Sequence, residues 1–559
     1  MSLMNNAAIY LHPDGYDTSR PRLMGRHAAG ESFLRGFLRH ADVDQFHLLN
    51  AGGSPQKELE GLVERIHPSD KPLTWYGRKG RSALGKVGCL YYPAPTLAVE
   101  AWTRRPFNPR LYSLCGVTHT TASHRAMDAI AELTLAPVEP WDAVICTSTA
   151  VRSSVEVELE AVREDLKARL GASRFPGPTL ATIPLGVNCA DFATGPDQRA
   201  AWRERLDIPQ DAIVALYLGR FNPVAKMNPA LMAMALEEAA KSTGKEIYWV
   251  VAGWSSTDEF TTRYHAQVQA FCPSVHYRAV DGRPTNTRFS VWAVADFFIS
   301  FSDNVQETFG LTPIEAMASG LPCVVSDWDG YRDTVRHGVD GFRIATFAPR
   351  PSLGRDLAYN FANEWIQYEQ YLAAAAQMTA IDLAGASKAI EALVTNPDLR
   401  ARMSQSSARR AREVFDWSVI IPQYQALWGE LAAIRQSAPG STGPITDNPR
   451  RLDPFQLFAS YPTEVLLPQS RLFVPAGQSW ATIRARLEQP LGSAARWALP
   501  HIDEAERAFA FFSGRPRSCV ADLLLEYPPQ RHPFIERGLL WLVKFGGLTL
   551  IPTSEKMRL

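Results

Sequence analysis

The hydrophobic positions of this chain fall in short continuous runs rather than in alternation. In the first third they lie at residues 8–11, 89–92, 111–118 and 143–146, separated by longer polar stretches with helical spacing. A strand with one wet face alternates apolar and polar residues, whereas a strand covered on both faces reads as unbroken apolar sequence. The runs therefore predict a parallel sheet with helices on either side, closed by residues 182–188. The pattern then restarts. Runs at 213–218, 247–252, 275–280, 296–301 and 322–326 are separated by helical candidates, among them 227–241 and 311–319. The fold class is α/β, with two Rossmann-like units, residues 1–190 and 191–435, facing one another. Ligands bind such sheets at the carboxyl ends of the strands, so chemistry is expected in the loops that follow the runs.

Residues 380–415 predict a helical stretch, and Asp416-Trp417 opens a further helix that ends near 435. Turn formers crowd 436–448, so 436–452 reads as a linker. Beyond it, 453–559 holds enough leucine and aromatic residues for a small domain. There, 520–526 and 534–543 predict two helices and 548–551 a short strand, a mostly helical module loosely like a winged helix. Protein contact or dimerisation is the role expected for it.

Composition narrows the classes. A chain of 559 residues is too long for one core, and three domains is the natural expectation. Lys plus Arg and Asp plus Glu both number 58, so the basic excess of a nucleic-acid binder is missing. The local run Arg78-Lys79-Gly80-Arg81 with Lys86 reads first as a solvated loop and second as a contact for an acidic ligand or anionic lipid. Seven scattered cysteines without a Cys-x-x-Cys pair predict reduced, buried thiols in a cytosolic protein. The first residues lack a signal-peptide pattern, and the longest apolar stretch, 538–552, is broken by Lys544 and two glycines. The expectation is a cytoplasmic protein, with peripheral contact at the inner membrane face left open.

The densest chemistry lies at 301–322. A strand ends near Phe301, a polar loop follows, and a helix starts near Gly310 with Pro313 in its first turn. Such a helix start favours an anion through its unpaired N–H groups and the positive end of its dipole. Gly310 lets the backbone approach that anion closely. Glu307 precedes the helix and Glu315 lies in its early turns. A carboxylate can accept two sugar hydroxyls at once, although either glutamate alone is equally well explained as a charge that stabilises the helix start. At 216–226 a strand ends in Gly219, and Arg220 and Lys226 follow on a loop that enters a helix. The planar fork of one and the point charge of the other suit phosphate oxygens, and together they would offset the charge on a leaving diphosphate.

As a set, Gly219-Arg220 with Lys226, Val250-Val251-Ala252-Gly253, Ala295-Asp296, and Glu307-x7-Glu315 around Thr308-Phe309-Gly310-Leu311 resemble glycosyltransferase family 4. The likeness continues through Pro322 and 327–334; it is dense from about 183 to 347 and weaker over 380–428. It implies a GT-B fold, a nucleotide-sugar co-substrate held by the second unit, and transfer with retention of anomeric configuration. It assigns the diphosphate to Arg220 and Lys226, the transferred sugar to Glu307 and the ribose to Glu315. Gly219, Thr308, Phe309, Gly310 and Leu311 then line the donor. The base-cupping segment reads Tyr277-Arg278-Ala279-Val280-Asp281-Gly282 and departs from the family's glycine-containing pattern. Arg278 is carried as a candidate on that side, and uracil, guanine and adenine stay open, with a UDP- or GDP-sugar expected.

In the first unit, 25–33 with Gly30 resembles the family's glycine-rich loop, and its lead-in, 11–24, is expected to shape the acceptor side. A Gly-x4-Gly turn occurs as often without a ligand. His119 ends the run 111–118 and resembles the family's sugar-facing histidine, with His124 as its competitor. A lone histidine is otherwise more often structural. No metal is expected, because the sequence reads as having no Asp-x-Asp flanked by strands, no His-x-x-x-His and no paired cysteine, and the acidic residues scatter over helices. Arg220, Lys226 and the Gly310 helix start would take magnesium's part. A hydroxyl on a glycan, a lipid-linked sugar or a protein is the expected acceptor, in glycan or surface-polysaccharide synthesis. Two rival readings stand beside it: an epimerase or hydrolase on the same fold, and a non-catalytic nucleotide-sugar-binding scaffold.

Overall fold

A computed structural model describes residues 5–19, 25–255, 257–440, 448–515 and 518–551. The polypeptide divides at Asn448 into two compact units. Of the expected linker, residues 441–447 lie outside the described residues, as do 20–24 of the lead-in before Gly25.

The larger unit holds two parallel sheets. The first contains β1 Ala8–Tyr10, β2 Phe46–Asn50, β3 Leu73–Gly77, β4 Cys89–Tyr92, β5 Ser113–Val117, β6 Ala143–Cys146 and β7 Thr179–Thr182. Their order is β3-β2-β1-β4-β5-β6-β7. The strands foreseen from apolar runs are central ones, β1, β4, β5 and β6. The two edge strands, β3 and β7, are half-exposed and lack a continuous run. In β2 the run is interrupted by His47, which is buried with Tyr76 Oη 3.1 Å from its Nδ1.

The second sheet contains β8 Ile213–Arg220, β9 Ile247–Trp254, β10 His276–Asp281, β11 Phe297–Ser300, β12 Cys323–Ser326 and β13 Gly341–Ile344, in the order β10-β9-β8-β11-β12-β13. Successive β8 residues face opposite sides. Val214, Leu216 and Leu218 enter one core with Val250, Phe298 and Ile314. Ala215 and Tyr217 enter the other with Trp249, Phe297 and Leu236. The strand order reverses between β8 and β11, which opens a crevice at their carboxyl ends.

The chain passes between the sheets twice, and the two passages lie side by side. Val187 N–H donates to the Phe415 carbonyl at 2.9 Å, and Trp417 N–H donates to the Val187 carbonyl at 3.1 Å. The helix Trp417–Ser437 then packs back on the first sheet, where Trp417, Tyr424 and Trp428 share a core with Phe33, Phe37 and Tyr91. The stretch 380–415 is not one helix. It begins as a strand, continues as the helix Leu383–Thr395, and is cut where Asn396 caps the helix Pro397–Arg410. A proline after a capping side chain starts a helix and cannot continue one. Before it, β14 Thr346–Phe347 pairs antiparallel with β15 Ala380–Ile381. That pairing clips together the ends of a segment carrying the helices Arg355–Ala362 and Tyr368–Gln377.

The smaller unit is mostly helical. Helices Trp480–Glu488, Ile502–Gly514, Val520–Leu524 and His532–Lys544 enclose Phe509, Phe512, Leu539 and Leu542, and β16 Leu472–Phe473 pairs antiparallel with β17 Thr549–Leu550. Among the described residues no helix is long and apolar enough to cross a membrane. Six of the cysteines are buried, and all seven are free.

Candidate active site

The site grows from the carboxyl edge of the second sheet. β8 ends in Gly219-Arg220, and Asn222 Oδ1 accepts the N–H groups of Val224 and Ala225 at 3.0 and 2.8 Å, which turns the chain toward Lys226. β11 ends at Ser300, and the loop after it is stitched to the first one. Asn304 Nδ2 donates to the Val224 carbonyl at 2.6 Å, and Gln306 Nε2 to the Ala225 carbonyl at 2.8 Å. The result is a short ion pair, Lys226 Nζ to Glu307 Oε2 at 2.5 Å, with both side chains largely buried. Burial pushes the Glu307 carboxyl up, but Lys226, the Thr308 N–H and Arg220 outweigh it and hold the group below the ordinary carboxylate range. Arg220, half-buried at the strand end, donates to no carboxylate among the described residues and faces Glu307 and Tyr368.

The helix Leu311–Ala318 starts at Gly310, whose φ of +82° only glycine adopts freely, and where a Cβ would stand 2.1 Å from the Tyr331 ring. Its first N–H groups therefore open beside Glu307. Thr308 meets the first unit through its carbonyl, 3.5 Å from Thr147 Oγ1. Phe309 and Leu311 serve the core: Phe309 is buried against Phe415, and Leu311 packs at its margin. Glu315 lies one turn in, and burial, opposed by Arg288 and Lys226, pushes its carboxyl up to about 7.

Other expected residues sit elsewhere. The Arg278 guanidinium is committed to backbone, with Nε on the Leu206 carbonyl at 2.8 Å and Nη1 on the Tyr277 carbonyl at 3.2 Å, so the structure does not bring it to these loops. Gly30 lies inside the helix Gly25–His40, where its missing side chain admits the Gly15 carbonyl, 1.9 Å from where a Cβ would be. That glycine is explained by helix packing. His119 follows β5, and its Nε2 lies 3.1 Å from the Pro93 carbonyl, which makes that nitrogen the donor. The His124 ring stacks on Phe361 at 3.7 Å between centroids.

Three carboxylates to which the sequence alone assigns no role also belong to this edge. Asp303 is buried, its Oδ1 unpartnered, and burial pushes its carboxyl up to about 7. Asp327-Trp328-Asp329 is an Asp-x-Asp sequence directly after β12, but its carboxylates diverge. Asp327 lies 3.4 Å from Arg343 Nε, whereas Asp329 accepts from Ser148 Oγ at 3.2 Å. Asp329 has φ +45°, and burial beside Glu307 drives its carboxyl well up. Their place after a strand of the second sheet was the available signal. Asp333 completes the contact with the first unit, accepting from Thr149 N–H at 2.6 Å. Among the described residues no three His, Cys, Asp or Glu side chains gather as metal ligands.

A family model, glycosyl transferases group 1, matches residues 198–355. A D-inositol 3-phosphate glycosyltransferase of Geodermatophilus obscurus is 28% identical over 46% of this chain and 50% of its own length. One of Streptomyces scabiei is 31% identical over 30% of this chain and 38% of its own. The chain thus spans half or less of these relatives. Among solved structures, Anabaena HepE in complex with UDP and glucose is 14% identical, with 75% of this chain and 98% of that one covered and a TM-score of 0.48. The matched region is the sheet that carries Arg220, Lys226, Glu307 and Glu315 on one edge: residues 198–355 match the glycosyl transferases group 1 model, and the two parallel Rossmann-like sheets around them form a GT-B fold.

Proposed function

We propose that this chain is a retaining, metal-independent glycosyltransferase that moves a sugar from a nucleotide sugar to a hydroxyl acceptor, in glycan or surface-polysaccharide synthesis. The observation that carries the reading is the Lys226–Glu307 pair at 2.5 Å, with Arg220 on one side and the Gly310 helix start on the other. Cations and backbone donors suited to a diphosphate stand there beside a carboxylate suited to sugar hydroxyls. Six buried free thiols support a cytoplasmic setting.

In this reading the bond from the anomeric carbon to the diphosphate breaks while a bond to the acceptor oxygen forms on the same face. The acceptor's proton passes to the departing phosphate oxygen. Arg220, Lys226 and the N–H groups after Gly310 take up the charge, and Glu307 holds the sugar. A double displacement would instead need a carboxylate nucleophile on the far face, and no residue of the first unit is assigned to that part.

A thermal-shift screen of UDP-, GDP- and ADP-sugars should single out one base, since a ligand bound only by the folded state raises its apparent stability. With that donor, Arg220→Ala and Glu307→Ala should each lower transfer by about a hundredfold or more, measured as product per enzyme. Unchanged turnover in either would overturn the assignment. Release of free sugar at the same rate with and without acceptor would assign a hydrolase instead.

A further inference from the structure

We propose that Tyr368 is a positioning residue that sets the sugar-gripping end of the donor site from outside the matched domain; the inference rests on the reading of Glu307 above. The helices Arg355–Ala362 and Tyr368–Gln377 begin where the family match ends, at residue 355, and are clipped at their base by β14 and β15. Tyr368 Oη donates to Gln306 Oε1 at 3.1 Å, and Thr120 Oγ1 lies 3.4 Å from it on the far side. Thr120 follows His119 in the loop after β5, so one hydroxyl bridges the loops of both sheets. Burial pushes that phenol up, which keeps its proton in place.

Gln306 is the means by which this hydroxyl reaches the site. Its amide nitrogen holds the Ala225 carbonyl, its backbone N–H is held by Asn304 Oδ1 at 2.9 Å, and Glu307 follows it directly. Ala225 in turn precedes Lys226. A single amide side chain therefore fixes both partners of the ion pair, and Tyr368 orients that amide by occupying its oxygen. The platform is firm: Leu372 is fully buried with Ala122 and Ala225, and the Phe361 ring lies on Tyr371 at 4.4 Å. Without the phenol, Gln306 Oε1 loses its donor and the amide is held through its nitrogen alone. A site is only as exact as the groups that hold its ligating side chains. Glu307 meets the sugar, whereas Arg220, Gly310 and Glu315 can hold a nucleoside diphosphate that carries none, so the two ligands separate this role from general support of the cleft.

Calorimetry on the full chain with UDP-glucose against UDP, and with GDP-mannose against GDP, provides the test. Tyr368→Phe, which keeps the ring, should weaken the bound nucleotide sugar about tenfold and its nucleoside diphosphate by about twofold or less. Gln306→Ala should do the same, and the double variant should be no weaker than Gln306→Ala alone, because both changes break one link. Should Tyr368→Phe fail to fold, Thr120→Val and Gln306→Ala carry the comparison, with Thr120→Val expected to shift the same ratio in the same direction. Equal loss of both ligands, or wild-type affinity for the nucleotide sugar, would overturn the proposal. If the wild type binds no sugar in the UDP-, GDP- and ADP-sugar screen, the reading of Glu307 falls and the inference falls with it.

Discussion

Lys226 and Glu307 pair at 2.5 Å, so in the proposed reading a donor diphosphate would meet Arg220, which donates to no carboxylate among the described residues, as its first cation. Glu315 is set differently. Among the described residues it makes no ion pair, and burial, opposed by Arg288 and Lys226, pushes its carboxyl up to about 7. A folded carboxyl that protonates more readily than the unfolded one binds extra protons between the ordinary carboxylate range and about 7, so its contribution to stability falls as pH rises across that window. For binding the direction is opposite. If the ionised form accepts the ribose hydroxyls, donor affinity should rise as pH climbs through about 7, by at most about tenfold per pH unit. Glu315→Gln should bind more weakly at pH 8 and lose the slope. Titration calorimetry with a nucleotide sugar between pH 6 and 8 reads both; a wild-type slope that survives in the variant would remove Glu315 from the site.

At the scale of elements, the helix start at Gly310 is the piece whose local sequence most nearly dictates its structure. Its φ of +82° costs any other residue roughly 1–3 kcal/mol, and the Tyr331 ring leaves no room for a Cβ. Gly310→Ala should therefore lower stability by at least about 1 kcal/mol in urea unfolding and weaken nucleoside-diphosphate binding as the first helical N–H groups shift. Wild-type binding by the variant would mean that those groups do not hold phosphate. The same contrast explains what the chain disclosed of itself. That Arg220, Lys226, Glu307 and Glu315 share one sheet edge was legible because the loops and the helix start that carry them follow directly from the buried strands β8 and β11. The surroundings of Gly30 and Arg278 were not, since they depend on Gly15 and on the Leu206 carbonyl, partners that only tertiary packing supplies. Edge strands β3, β7 and β13 escaped notice because half-exposed positions carry no apolar run. Tyr368 belongs to the same class: its position follows from a helix pair clipped in by four residues of antiparallel sheet.

Across the larger unit, both sheets answer to one seam. The passages at Val187 and at Phe415 to Trp417 are bonded to each other, and Asp416 adds a further link by accepting from Cys189 N–H at 3.0 Å while it caps its own helix through Ser418 N–H. Trp417 is the anchor beyond the seam. It is fully buried, donates from Nε1 to Ser32 Oγ at 2.7 Å, and fills space left by Gly36 and Gly186, where a Cβ would stand 2.4 and 2.7 Å from the indole. The ring thus touches the helix of the first sheet and the outgoing passage at once. Trp417→Ala removes that contact and leaves a cavity, which should cost about 3–5 kcal/mol of stability. None of the donor-site residues touches the indole, so the variant that remains folded at low temperature should bind nucleoside diphosphate with nearly wild-type affinity. Transfer should fall further than binding if, as proposed, the donor is held by the second sheet alone, because the seam holds the two sheets in register. Thermal unfolding, calorimetry and turnover on the same preparation separate these effects. Equal loss of binding and transfer would show that the second sheet's edge is not a self-sufficient donor site and depends on the first for its shape.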